Sequence, residues 1–326
     1  MDYLEAIQNF YKNYYSSIDF KKWQDKLSNE IYLSLHSGGK EVPMVTELCE
    51  VMSKQNHKGL SIESKKIHGK KSFVKFDYLN KKTTKELADM VIVSVVTLKR
   101  KIMLLKTAFI QNKKAKNERL SWVCDIDQEQ LFLLKNFPTF TGTSGIFKGK
   151  EITFLNHSGT LGNYGLFTPT GDMVFLTARN VFCNQSSGDK VTFDDIKKAA
   201  SLNMPLVNTV DGFEYFSKCG IYLVNKDYIA FPIGRHNLPF FNNYNYALDV
   251  HEIVKQLTYF NIGEPVNEFK HTADNYLYNY TKDLLHLLGY KIDNNQLIRN
   301  SESGDIPDEG EIGVILNHLE LGETLG

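Results

Sequence analysis

The chain has 326 residues, of which 42% are hydrophobic, 23% charged and 12% aromatic, and this composition excludes disordered, collagen-like and disulfide-scaffold proteins. Because 38 Lys and Arg residues balance 38 Asp and Glu residues, any attraction to nucleic acid must come from a local patch. We expect a soluble, cytoplasmic protein without membrane contact. The four cysteines are widely separated, the N-terminus is acidic and aromatic, and no continuous apolar stretch reaches about 18 residues.

The first 40 residues predict a helical extension. Apolar residues recur there at a spacing near 3.6, and Gly38 and Gly39 are typical helix terminators. A second helix is predicted from residue 42 to residue 53, with Pro43 in the first turn, where its missing N–H is harmless.

Strands are predicted next. Alternating apolar and polar residues from 60 to 79 indicate two strands joined as a hairpin by a turn that contains Gly69. The nearly continuous β-branched run Met90–Val96 is typical of a central strand buried on both faces. After the basic turn Lys99–Lys101, a second apolar run becomes polar at Gln111.

A helix is predicted after these strands, with Asp125 as its N-cap and Pro138 just beyond its end. Beyond residue 142 the pattern is looser, and we expect an α/β elaboration. Its predicted strands are Ile146–Leu155, Gly165–Phe167 and Met173–Thr177, and its predicted helices are Phe193–Leu202, Leu248–Tyr259 and Asn275–Leu288.

Charge is unevenly distributed along the chain. The segment from Lys99 to Arg119 contains eight basic residues against one acidic residue, whereas the tail from Asp293 contains eight acidic residues against one arginine. The first segment suits contact with phosphates. The second predicts a solvated acidic tail.

Three polar residues interrupt the apolar pattern of the two central strands. Asp89 precedes the first strand, and Gln111 and Lys113 end the second. Residues two apart on a strand share a face, and a hairpin brings the start of one strand beside the end of the next. We therefore expect Asp89 to meet Gln111 and Lys113. A carboxylate and an amide oxygen suit Mg²⁺ or Mn²⁺, and the nearby ammonium can orient water or stabilise charge during phosphodiester hydrolysis.

The motifs Glu86-Leu-Ala-Asp89 and Ile110-Gln111-Asn112-Lys113 resemble those of the PD-(D/E)XK nuclease superfamily over about residues 41–142. The resemblance implies an α/β protein with a restriction-endonuclease-like αβββαβ core and a mixed central sheet. It also implies Asp89 and Gln111 as metal ligands and Lys113 as the catalytic lysine. Gln111 departs from the commoner Asp or Glu, and because a neutral amide binds a cation less strongly than a carboxylate does, it weakens the argument for a metal site.

The same resemblance implies a glutamate from the preceding helix. Glu41 and Glu47 both qualify, and Glu47 is favoured because it lies well inside the predicted helix. Glu86 and Gln130 are expected to support or line the site. Residues expected to bind phosphates are Lys99, Arg100, Lys101, Lys114 and Lys116.

These patterns divide the chain into a helical extension (1–40), a nuclease-like core (41–142) and a C-terminal elaboration with an acidic tail (143–326). The resemblance implies a Mg²⁺- or Mn²⁺-dependent nuclease that acts on nucleic acid, with DNA favoured over RNA, and it suggests a role in restriction or antiphage defence. The alternative is a non-catalytic nucleic-acid-binding or assembly subunit on the same core, and a third hypothesis is a protein-interaction module that uses the acidic tail. A homodimer and a protein partner in a defence complex are compatible with each.

Overall fold

The computed structural model describes most of the predicted core and parts of the remaining chain. No helix within this part of the chain is long and apolar enough to cross a membrane. The described residues are 13–36, 41–53, 55–67, 73–118, 121–143, 148–154, 159–181, 190–192, 194–195, 246–247, 249–266, 276–300 and 312–321.

The described helices are α1 (Ile18–Leu35), α2 (Glu41–Met52), α3 (Gln128–Asn136), α4 (Val250–Thr258) and α5 (Tyr276–Leu287). The first nine strands are β1 (Gln55–His57), β2 (Leu60–Ile67), β3 (Phe73–Tyr78), β4 (Lys81–Glu86), β5 (Met90–Leu98), β6 (Lys101–Lys114), β7 (Lys116–Glu118), β8 (Ser121–Asp125) and β9 (Phe140–Gly142). The remaining strands are β10 (Glu151–Ile152), β11 (Gly162–Phe167), β12 (Met173–Thr177), β13 (Lys190–Thr192), β14 (Tyr246–Ala247), β15 (Glu264–Pro265), β16 (Tyr290–Asp293), β17 (Gln296–Arg299) and β18 (Ile312–Glu320).

A large mixed sheet forms the centre of the described fold. Its strands follow the order β1-β2-β18-β5-β6-β11-β12-β14. β5 and β6 are antiparallel, whereas β11 runs parallel to β6 after the crossover through α3. The predicted α/β class with a mixed central sheet is therefore confirmed.

β5 and β6 lie in the middle of this sheet because their side chains tolerate burial on both faces. All nine residues of β5 are buried, as its β-branched composition predicts. Helices α1, α2 and α4 contribute apolar side chains to the core on one face of the sheet. Helices α3 and α5 cover the opposite face, where Val91, Val93 and Phe109 contribute to the core.

The predicted hairpin between residues 60 and 79 is wrong. Each predicted strand exists, but β2 belongs to the large sheet and β3 to a separate sheet with the order β10-β9-β3-β4. β2 turns back on β1, and β3 pairs with β4. The reason is that alternation identifies a half-exposed strand but does not identify the strand that it pairs with.

The acidic tail is also only partly as expected. Residues 312–320 form β18, a strand inserted between β2 and β5 at the centre of the sheet. Its apolar residues Val314, Ile315 and Leu316 are completely buried, so this part of the tail is core rather than a solvated end. The large sheet is consequently continuous across the boundary expected at residue 142. The acidic residues between 301 and 311 lie outside the described residues.

Other predicted elements agree with the structure to within a few residues. β12 has the predicted bounds, β11 contains the predicted strand at 165–167, and α4 and α5 lie within their predicted ranges. The N-cap of α3 is Asp127 and not Asp125, since the Asp127 side chain accepts the hydrogen bond from the Gln130 N–H. The predicted helix at 193–202 and the start of the predicted strand at 146–155 lie largely outside the described residues.

Gly162 allows the crossover from α3 to β11 to close tightly. A Cβ built on Gly162 would overlap the main-chain carbonyl of Leu134 in α3. A backbone atom cannot move aside as a flexible side chain can. We therefore predict that Gly162→Ala lowers the free energy of unfolding by roughly 3 kcal/mol, measured by urea denaturation.

Gly149→Ala is the matched control for this prediction. Gly149 has a φ of +75° and its added Cβ would meet no atom within 4 Å, so only a backbone cost of about 1 kcal/mol is expected. Equal losses in the two variants would contradict the tight packing at Gly162.

Candidate active site at the open end of the β5–β6 hairpin

The register of β5 and β6 brings the three predicted polar residues together. Met90 lies opposite Ile110, and the ladder continues for one residue because the Asp89 N–H donates to the Ile110 carbonyl at 3.0 Å. Asp89 therefore lies beside Gln111. Lys113 follows two residues later and shares the face of Gln111.

The Asp89 carboxylate is held by β6 through one of its two oxygens. Oδ2 accepts a hydrogen bond from Gln111 Nε2 at 2.5 Å and another from the Asn112 main-chain N–H at 2.7 Å. Neither bond uses Oδ1. The carboxylate is thus fixed in orientation while one of its oxygens remains available to a ligand.

Gln111 has an amide oxygen whose hydrogen-bonding capacity is not used within the described residues. The side chain is only 4% exposed, and its buried Oε1 accepts no hydrogen bond. The orientation of the amide is determined by Asp89, because a carboxylate accepts hydrogen bonds and can pair only with the Nε2 side. A buried, unpaired oxygen costs about 1–3 kcal/mol unless another group satisfies it.

Glu41 connects the first turn of α2 to the end of β6. Its Oε1 lies 3.3 Å from the Lys113 ammonium, and its Oε2 accepts the Lys114 main-chain N–H at 3.1 Å. Both side chains of the ion pair are partly exposed, at 26% for Lys113 and 31% for Glu41. This contact positions Lys113 beside the carboxylates and limits its movement.

The structure therefore favours Glu41 over Glu47 as the helix glutamate of the cluster. Glu47 is half-buried and lies six residues further along α2, about 9 Å along the helix axis and on a different side of it. An interior position in the helix therefore does not identify the glutamate that reaches the end of β6. A carboxylate in the first turn can accept main-chain N–H groups from a neighbouring strand end without disturbing the helix.

Burial perturbs the titration of the cluster. Burial raises the pKa of the Asp89 carboxyl to about 6, and the negative charge of Glu41 adds a smaller increase. The Asn112 N–H, Lys113 and Gln111 oppose this increase because they stabilise the ionised carboxylate. Burial also raises the pKa of the Cys124 thiol to about 12, with the charges of Asp125 and Glu41 adding to the effect. Cys124 is therefore a protonated neighbour of the cluster and not a nucleophile.

Gln130 supports the chain that leads into Asp89. Its side chain is buried, and Nε2 donates to the main-chain carbonyl of Glu86 at 2.8 Å. This bond ties α3 to the end of β4, three residues before Asp89. The contact uses the backbone of Glu86 and not its carboxylate.

The five predicted phosphate-binding residues do not lie together. Lys114 follows Lys113 at the site, and Lys116 forms an exposed ion pair with Asp125 at 2.5 Å. The turn formed by Lys99, Arg100 and Lys101 lies at the opposite end of the β5–β6 hairpin. The ten-residue step from Lys101 to Gln111 along β6 spans about 33 Å, so this turn does not flank the site.

Comparisons of the chain with protein-family models, curated proteins and solved structures find no match. The chemical assignment of this site therefore depends on its geometry.

The residues present fit a divalent cation only with help from water or substrate oxygens. Within the described part of the chain, no group of three or more His, Cys, Asp and Glu side chains is arranged to hold a metal. Asp89 Oδ1 and Gln111 Oε1 are nevertheless hard oxygen donors, the kind that Mg²⁺ and Mn²⁺ prefer. Gln111 Oε1 is one of several buried polar atoms in the described chain that have no hydrogen-bond partner, and its position beside the Asp89 carboxylate is what favours such a ligand.

The raised pKa of Asp89 predicts a pH-dependent effect on stability. The pKa of Asp89 in the folded state, about 6, exceeds its ordinary value of 3.8. Ionised Asp89 therefore destabilises the folded state fully above about pH 6, and this destabilisation decreases as the pH falls and is absent below 3.8. We predict that Asp89→Asn raises the free energy of unfolding at pH 8 by up to about 3 kcal/mol in a metal-free buffer.

Urea denaturation of wild type and variant between pH 4 and pH 8 measures this effect. The stabilisation by Asp89→Asn should shrink steadily towards pH 4. Asp77→Asn removes a carboxylate that is 68% exposed and controls for the general loss of a negative charge. A stabilisation that does not change with pH would contradict the assigned cause.

Proposed function

We propose that the chain is a Mg²⁺- or Mn²⁺-dependent nuclease that hydrolyses phosphodiester bonds at the cluster of Glu41, Asp89, Gln111 and Lys113. The observation that carries the proposal is the meeting of these four side chains at one end of the β5–β6 hairpin, with a buried Gln111 oxygen that no described residue satisfies. DNA is the favoured substrate, as the resemblance to PD-(D/E)XK nucleases implies.

The order of elements supports the proposed restriction-endonuclease-like core. Helix α2 precedes the sheet, Asp89 opens β5, Gln111 and Lys113 close β6, and α3 crosses over to the parallel strand β11. One feature departs from the expected αβββαβ arrangement. The neighbour of β5 on its other side is the parallel strand β18, not the preceding strand β2.

Each residue of the cluster has a chemical role in the proposed reaction. Asp89 and Gln111 would hold the cation through oxygens that their mutual hydrogen bond does not use. The cation would supply Lewis acidity at the phosphate and lower the pKa of a bound water. The Lys113 ammonium, positioned by Glu41, would orient the attacking water or stabilise negative charge on the phosphate oxygens.

Cleavage assays on plasmid DNA, single-stranded DNA and RNA with Mg²⁺ or Mn²⁺ test the proposal. We predict that Asp89→Ala and Lys113→Ala each reduce the cleavage rate at least about 100-fold, because each removes a group that acts on the transition state. Lys99→Ala, at the far end of the hairpin, should retain the wild-type rate. Full activity in either site variant would contradict the assignment.

The two helix glutamates provide a matched pair within this assay. Glu41→Gln removes the charge that positions Lys113, so we predict a loss of about tenfold or more in cleavage rate. Glu47→Gln makes the same chemical change in the same helix and should have little effect. The reverse order would show that Glu47 belongs to the site.

The second candidate is a non-catalytic nucleic-acid-binding subunit, and the neutral Gln111 favours it because an amide binds cations more weakly than a carboxylate. Calorimetric titration with Mn²⁺ separates the two functions. A nuclease should show a binding site that disappears in Asp89→Ala. A binding subunit should show no such site and still retard DNA in a gel.

The position of nucleic acid on the surface can be measured from salt dependence. Because Lys116 lies near the site and Lys99 about 33 Å from its centre, we predict that only Lys116→Ala reduces the slope of log Kd against log salt, by about one. Fluorescence anisotropy with a short duplex provides the measurement. Equal changes in Lys116→Ala and Lys99→Ala would contradict binding at the site end alone.

A further inference from the structure

Leu79 occupies an unfavourable position at the tip of the β3–β4 hairpin. Its side chain is 77% exposed, more than that of any other large apolar residue in the described chain. Its φ is +48°, in the left-handed region that branched side chains rarely adopt. Water and backbone geometry therefore both disfavour a leucine here.

Other turns of the same geometry avoid this combination. Within the described chain, the remaining two-residue turns in which both φ values are positive carry only polar residues or glycine. These turns are Lys58–Gly59, Lys99–Arg100 and Asn294–Asn295. Such residues are the ones that two-residue hairpin turns ordinarily favour or tolerate.

Apolar residues with positive φ are compensated by burial elsewhere in the described chain. Phe137 follows α3 with a φ of +39° and is only 2% exposed. Phe260 follows α4 with a φ of +58° and is completely buried. Leu79 gains no such burial, so intramolecular packing does not explain its presence.

The segment around Leu79 is basic. Residues 75–82 contain three lysines, Lys75, Lys81 and Lys82, against the single acidic residue Asp77. All three lysines are exposed, and Lys82 pairs with Asp77 at 2.6 Å. An apolar tip between lysines is complementary to a polyanion that contains apolar, stacked groups.

The hairpin is braced up to its tip by α3. The ring of Tyr78 contacts that of Phe132 edge-on, with centroids 5.1 Å apart. Further along β4, Thr83 Oγ1 donates to Glu129 at 2.7 Å and Lys85 pairs with Asp127 at 2.6 Å. Strands β3 and β4 are consequently held in place, and only the turn Leu79–Asn80 extends beyond them.

This hairpin is also connected directly to the proposed active site. β4 ends at Glu86, three residues before Asp89. The ten residues from Leu79 to Asp89 can span at most about 33 Å, which is the length of about ten base pairs. A duplex that runs from the site towards this tip, and so away from the Lys99 turn, can therefore contact both the site and the tip if it is about ten base pairs long or more.

We propose that Leu79 is a wedge that inserts between neighbouring bases of the nucleic acid bound at the active site, while Lys75, Lys81 and Lys82 contact the adjacent phosphates. The inference rests on the proposed nuclease function and adds a substrate preference to it. A wedge unstacks a base step, so duplexes that are already easy to open, such as those with a mismatch, bind with the smallest energetic cost.

Leu79→Asn separates the wedge from the stability of the hairpin. Asparagine tolerates positive φ and is polar, so the variant should unfold at the same or a higher temperature than the wild type. Leu79→Gly is a second variant with the same backbone tolerance. Leu33→Asn is the matched control, because Leu33 is 70% exposed on helix α1 and has no proposed contact with substrate.

The experiment uses short DNA duplexes with 2-aminopurine at successive positions, in the absence of divalent cations so that no cleavage occurs. Unstacking of 2-aminopurine raises its fluorescence. Wild type and Leu33→Asn should raise the fluorescence at one or two adjacent positions, and both Leu79 variants should abolish this rise. Both Leu79 variants should also weaken binding to a fully paired duplex by roughly tenfold, and binding to a duplex with a mismatch at that position by much less.

The outcomes distinguish the wedge from the nuclease function. If wild type cleaves DNA with Mg²⁺ or Mn²⁺ but the Leu79 variants retain the fluorescence rise, the wedge is wrong and the nuclease function stands. If wild type neither cleaves nor binds nucleic acid, both proposals are wrong. Equal fluorescence changes in Leu33→Asn and Leu79→Asn would also overturn the wedge.

Discussion

The antiparallel pairing of β5 with β6 is the constraint on which the candidate site depends. With Met90 opposite Ile110, Asp89 lies beside Gln111, and Lys113 shares the face of Gln111. A slip of one residue would turn Gln111 and Lys113 to the opposite face, into the core of α1, α2 and α4. The buried apolar residues of both strands resist this slip, so the hydrophobic core determines the geometry of the polar cluster.

The cluster is a compromise between burial and charge. Burial raises the pKa of Asp89, while the Asn112 N–H, Lys113 and Gln111 stabilise its ionised form. Glu41 has two opposing effects, because it holds the Lys113 ammonium near the site and adds a negative charge beside Asp89. An additional positive charge beside Asp89 would reduce the repulsion between the Asp89 and Glu41 carboxylates. It would also give the Gln111 amide oxygen a partner. A bound divalent cation would have both effects, which is why the electrostatics of the site suit the proposed hydrolysis.

The sequence predicts the parts of the fold that depend on local patterns. The β-branched composition of β5 indicates a buried strand, and the two-residue period of a strand is enough to place Gln111 and Lys113 on one face. The partners of β2 and the central position of β18 could not be predicted, because strand pairing over more than 200 residues leaves no local signal. Which glutamate of α2 contacts Lys113 likewise depends on where α2 begins relative to the end of β6. The local sequence does not specify that position. The predicted N-cap at Asp125 is wrong because Asp125 is the last residue of β8, and α3 begins only after a second aspartate, Asp127.

The insertion of β18 beside β5 has a consequence for biosynthesis. The Gly313 N–H donates to the Asp89 carbonyl at 3.1 Å, and β18 then pairs with β5 along nearly its whole length. Residue 313 is translated more than 200 residues after Asp89, which corresponds to roughly 10–40 s on the ribosome. During that interval β5 lacks one of its two neighbours, and the Asp89 carbonyl lacks the N–H donor that β18 supplies. The strand that leads out of Asp89 would therefore reach its final packing only after this late segment is made.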